Sequence, residues 1–75
     1  MAENIKIRIG NRIRELRKDK GISQEKLAGL AEIDRTYMTS VENGRRNIAV
    51  VNLEKIVNAL GVDLKEFFNS NDFSK

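Results

Sequence analysis

From Arg35 to Ser40 the chain reads Arg35-Thr36-Tyr37-Met38-Thr39-Ser40, a run rich in hydrogen-bonding side chains with three short hydroxyl residues. Wound as a helix at about 100° per residue, Arg35, Thr39, Thr36 and Ser40 share one contiguous arc of about 140°, while Met38 and Val41 fall on the other side. Short polar residues let such a helix approach a surface closely, and Arg35 reaches further. In the major groove of DNA, arginine pairs bidentately with guanine, a hydroxyl bonds to either base, and a threonine methyl can touch the thymine methyl. Tyr37 borders the arc, within reach of a sugar-phosphate or a base edge. Every amphipathic helix has a polar face, however, and for this segment alone a plain solvated face is the commoner reading.

Composition removes most competing chemistry. The chain has 75 residues, 14 Lys and Arg against 11 Asp and Glu for a net +3, and neither His nor Cys. Without them there is no thiolate nucleophile, no disulfide, no imidazole acid–base group and no Cys- or His-based zinc site. The length fits one domain over residues 1–75. Leu, Ile, Val and Phe make up 22 of the 75 residues, enough to expect a fold rather than disorder. No apolar run approaches the ~20 residues of a membrane span, and the first ten residues lack the apolar stretch of a signal peptide, so a cytoplasmic protein is expected. The charge is uneven: residues 1–21 carry seven bases and three acids, whereas residues 22–48 carry four of each. A basic excess attracts polyanions, although a Lys/Arg-rich helix is more often a solvated face.

The elements that must position these residues are helical, with no Pro and only five Gly in the chain. A first helix is expected over about 4–20, with Ile5, Ile9, Ile13 and Leu16 on one stripe and Gly21 at its end. Gly10 within it costs up to ~1 kcal/mol relative to Ala unless another helix packs closely there. Ser23 caps a second helix over 24–31, and Asp34 caps a third over 35–42. Helices this short joined by so tight a turn must cross steeply, as in a helix-turn-helix unit. A fourth helix, over 50–60, turns Val50, Leu53, Ile56, Val57 and Leu60 toward the core. Asp63 and Glu66 form a capping pattern for a fifth over 64–68, and the tail 69–75 is expected to fray.

In this order the chain resembles the phage-repressor and Cro type of helix-turn-helix protein, the xenobiotic-response-element family. The markers are Arg17, Gly21-Ile22-Ser23-Gln24, Leu27-Ala28, then Val41-Glu42-Asn43-Gly44, then Leu53 to Val62. Within that family it is most similar to the controller proteins of restriction–modification systems, through Asp34-Arg35-Thr36-Tyr37-Met38 and Arg46-Asn47. The resemblance implies an all-α, five-helix fold of the lambda-repressor type and a dimeric transcriptional regulator that binds double-stranded DNA. It places Arg35, Thr36 and Ser40 on base edges. It places Ser23, Gln24, Tyr37, Thr39, Asn43, Arg46 and Asn47 on the DNA backbone or the groove rim, and pairs Arg17 with Glu42 as a structural salt bridge. No cofactor, metal, small-molecule ligand or membrane partner is expected. Three positions depart from the pattern: Glu32 stands where glycine is common, Ile48-Ala49 offers no capping side chain to the fourth helix, and Gly29 lies inside the second.

Ile48, Val51, Phe67 and Phe68 are apolar residues without an evident partner in so small a core, which favours a two-fold interface. A dyad also suits function, because one recognition helix reads few base pairs and two read an inverted repeat. The competing readings are a DNA-binding antitoxin, a protein-interaction module on the same helices, and an enzyme. The last would need a carboxylate dyad, and Glu25 and Glu32 on a short exposed helix enclose no pocket, so catalysis is not expected.

Overall fold

The structure, a computed structural model, describes residues 4–74. They form α1 (Ile5–Lys20), α2 (Gln24–Ala31), α3 (Arg35–Glu42), α4 (Val50–Ala59), α5 (Leu64–Phe68) and a closing 3-10 turn over Asn71–Phe73, with no strand among the described residues. The fold is all-α, as expected. Each boundary has a local cause. Asn4, Ser23, Asp34 and Asp63 accept hydrogen bonds from the first-turn amides of α1, α2, α3 and α5, satisfying donors that a helix start otherwise leaves unpaired. α1 and α2 end alike, with the Ile22 amide reaching back to the Arg17 carbonyl and the Ile33 amide to the Ala28 carbonyl. Both closures need a left-handed residue, supplied by Gly21 (φ 72°) and by Glu32 (φ 57°).

The core collects Ile9 and Ile13 from α1, Leu27, Ala28 and Ala31 from α2, Met38 and Val41 from α3, Leu53, Ile56, Val57 and Leu60 from the α4 region, and Phe67 from α5. Of the expected stripe residues, Leu16 is partly buried against this core, and two are exposed: Val50 is 79% exposed and Ile5 is 46% exposed. Each opens its helix. Periodicity assigns a residue to a face, but burial requires a neighbour alongside, and at a helix start that neighbour is missing. Gly10 has the close packing that justifies it, since a Cβ there would lie 2.5 Å from the Glu42 carbonyl oxygen and 2.7 Å from that of Val41. α1 and α3 can therefore meet backbone against side-chain-free backbone.

The C-terminal segment corrects a second expectation. Residues 71–73 do not fray: Ser70 caps the turn by accepting from the Asp72 amide, and Phe73 packs on Phe68 and Phe67 at centroid distances of 4.8 and 6.0 Å. Lys75 lies outside the described residues. Phe67 is fully buried, so this residue belongs to the monomer core and is unavailable to an interface between copies. Ile48 is also packed against the core and only partly exposed. Phe68, at 39% exposure, and Val51, at 64%, stay open to solvent. No helix among the described residues is long and apolar enough to cross a membrane.

Candidate nucleic-acid interface

α3 carries the polar arc on a fixed support. Met38 and Val41 are buried, Arg35 and Thr36 are exposed, and Thr39 and Ser40 are partly exposed. Amphipathicity alone would leave the helix free to slide or rotate by small amounts, and its C-terminal end is held by polar contacts instead. Glu42 is 2% exposed. Its carboxylate accepts a bidentate pair from Arg17, Nε to Oε2 at 2.9 Å and Nη2 to Oε1 at 3.0 Å. Arg17 also donates from Nη1 to the Ile22 carbonyl at 3.1 Å, so one guanidinium joins α1, the turn into α2 and the end of α3.

Two further residues meet Glu42 that sequence reasoning had not assigned to it. Arg14 donates from Nη2 to the Glu42 carbonyl oxygen at 2.6 Å, with its Nε 3.8 Å from Oε1. Its spacing of three residues from Arg17 on one helix face was the signal for this role. Gln24 donates from Nε2 to Glu42 Oε1 at 3.2 Å, and its Oε1 accepts the Thr39 hydroxyl at 2.6 Å. The amide of Gln24, expected on a phosphate, is thus engaged inside the protein, because the start of α2 lies directly beside α3. A buried carboxylate with this many donors is well compensated; with one removed it would not be.

Tyr37 is likewise more internal than expected. The ring packs partly against the core, and its hydroxyl oxygen accepts the Ala49 amide at 3.2 Å. That contact serves the start of α4, where Ala49 has no capping side chain. Arg46 lies over the ring, with Cζ 4.9 Å from its centroid, a cation–π contact that brings a cation to the rim of α3. Asn43, Arg45 and Asn47 are exposed in the segment after α3, and Ser23 is exposed at the start of α2. Arg35 has only a loose ion pair with Glu25, at 3.9 Å with both side chains about two-thirds or more exposed. Such a pair is worth little and releases easily. A second missed arginine, Arg12, acts away from this face. Its guanidinium donates to the carbonyls of Phe67 at 2.7 Å and Glu66 at 2.8 Å, fastening α5 to α1.

The arrangement gathers exposed cations and hydroxyl residues on α3 and in the segment that follows it. The helix-turn-helix family matches residues 13–67, which spans α2, the turn and α3 together with their supports. Control protein C.MunI of Mycoplasma sp is 52% identical over 67 residues, covering 88% of this chain and 90% of that protein. Among solved structures, the restriction-modification controller protein C.AhdI from Aeromonas hydrophila superposes with a TM-score of 0.80 at 46% identity, over 84% of this chain and 96% of that one. The controller protein C.Esp1396I, solved as a tetramer in complex with its natural 35 base-pair operator, superposes with a TM-score of 0.82 at 33% identity, over 88% of this chain and 87% of that one.

Proposed function

The chain belongs to the helix-turn-helix family, among the restriction-modification control proteins, and on that premise we propose that it is a sequence-specific, double-stranded DNA-binding transcriptional regulator acting as a cytoplasmic homodimer. The observation that carries this reading is α3 itself: an outward face of Arg35, Thr36 and Ser40 on a helix anchored through Glu42 by two arginines and Gln24. Arg35, Thr36 and Ser40 meet base edges in the major groove. Ser23, Asn43, Arg46 and Asn47 meet the sugar-phosphate backbone or the groove rim, where the free amides of the α2 start add an anion site. Its role is one of binding rather than catalysis.

The copies associate through the exposed apolar residues of α4 and α5, chiefly Val51 and Phe68, and the dyad sets two α3 helices about one turn of DNA apart (~34–36 Å). Binding measured against salt concentration tests this reading, with wild type and Arg35→Ala compared on a selected site and on random DNA. The expected result is a steep salt slope kept by the variant, with a loss of ~1–3 kcal/mol on the selected site alone. Equal losses on both DNAs would remove Arg35 from the base-reading set.

A further inference from the structure

The hydrogen bonds behind α3 have a fixed direction. A carboxylate only accepts, so the Gln24 group beside Glu42 Oε1, at 3.2 Å, is the amide nitrogen. The Gln24 oxygen then faces Thr39, and an amide oxygen also only accepts. The Thr39 hydroxyl must therefore donate, and it does so at 2.6 Å, with the Arg35 carbonyl oxygen as a second internal acceptor at 3.0 Å. Arg17, Glu42, Gln24 and Thr39 form one relay whose polarity starts at a buried ion pair. A threonine hydroxyl has one proton, and here two acceptors inside the protein compete for it.

This removes a role the sequence suggests for Thr39. Phosphate oxygens only accept, as do the O6 and N7 of guanine, so a hydroxyl whose proton is held by Gln24 bonds to none of them. Thr39 is nevertheless partly exposed on the arc between Arg35 and Ser40. With its proton turned back onto Gln24 and the preceding turn, the hydroxyl keeps only acceptor capacity, for a base amino group, and the γ-methyl is the branch that can make an apolar contact. The one methyl group on the floor of the major groove is that of thymine.

We propose that Thr39 is a specificity-determining residue that reads a thymine 5-methyl group through its own γ-methyl, its hydroxyl being held by Gln24. The inference rests on α3 being the DNA-reading helix. Gln24 becomes a positioning residue, setting which branch of Thr39 faces outward.

The test uses the full chain, a DNA duplex selected by the wild type from a randomised library, and copies of that duplex in which single thymines of one half-site are replaced by uracil, which lacks only the methyl. Thr39→Val keeps a γ-methyl and removes the hydroxyl; Thr39→Ser does the reverse. Both are mild changes at a partly exposed helical position. At one thymine of the half-site, uracil is expected to weaken wild type about three- to fivefold, the worth of one buried methyl-sized contact. Thr39→Val should show the same penalty, and Thr39→Ser should show none. The proposal is overturned if Thr39→Ser stays as sensitive as wild type at every thymine. It is equally overturned if Thr39→Val binds selected and random DNA more weakly by the same factor, since that marks a phosphate contact through the hydroxyl. A wild type that selects no sequence would overturn the DNA-reading function itself, an outcome distinct from both.

Discussion

Glu32 has a side chain at φ 57°, in the left-handed region that glycine enters without a Cβ penalty, because its amide must close α2 onto the Ala28 and Gly29 carbonyls. Its carboxylate is exposed and the closure uses only its backbone. Glu32→Gly is therefore expected to stabilise the protein by about 1 kcal/mol, read from urea unfolding midpoints at unchanged slope. Glu15 gives a second residue-scale prediction. Its carboxyl titrates above the ordinary range, first because burial disfavours its charge and then because the Asp72 carboxyl lies beside it, with Arg12 opposing both. An acid whose folded pKa is raised binds its proton more tightly in the folded state. The stability it contributes is present at low pH and is lost as pH rises from the ordinary carboxylate range through the raised value. Glu15→Gln should raise the melting temperature at about pH 7 and leave it unchanged near pH 3.

At the scale of elements, the approach of α1 to α3 depends on Gly10. The Glu42 and Val41 carbonyl oxygens that a Cβ would meet are backbone atoms at the end of α3, so they cannot swing aside as a side-chain tip would. Gly10→Ala improves helix propensity in α1, yet it is expected to destabilise the fold by about 1–3 kcal/mol through overpacking. Thermal unfolding of the variant checks the sign; a stabilised Gly10→Ala would mean that the two helices part readily. The sequence showed only that a helical glycine needs a reason, and the reason is on another element 31 or more residues away.

At the scale of the molecule, Val51 and Phe68 are exposed on α4 and α5, while Phe67 and Ile48 pack inward, which narrows the surface that a second copy can use. Val51→Asp places a charge on that surface without touching the core. The expected outcome is a shift to monomer in sedimentation velocity at micromolar concentration, with a loss of more than tenfold in affinity for the two-half-site DNA. A wild type that sediments as a monomer alone at that concentration would end the dimer reading.

The helix order, the caps Ser23, Asp34 and Asp63, the left-handed Glu32 and the pairing of Arg17 with Glu42 were all legible in the sequence. The first two are local events within a few residues, governed by side-chain chemistry and backbone sterics, and the last two were legible because the family pattern carries them, with Glu32 standing where glycine is common. Tertiary structure decided what depends on residues far apart in the chain. It chose which apolar residues of a periodic stripe are covered, sparing Val50 and burying Phe67. It set Tyr37 under Ala49 and Arg12 against the end of α5. It also turned Gln24 inward between Glu42 and Thr39, because hydrogen-bond polarity is set by whichever donor and acceptor the packing brings together.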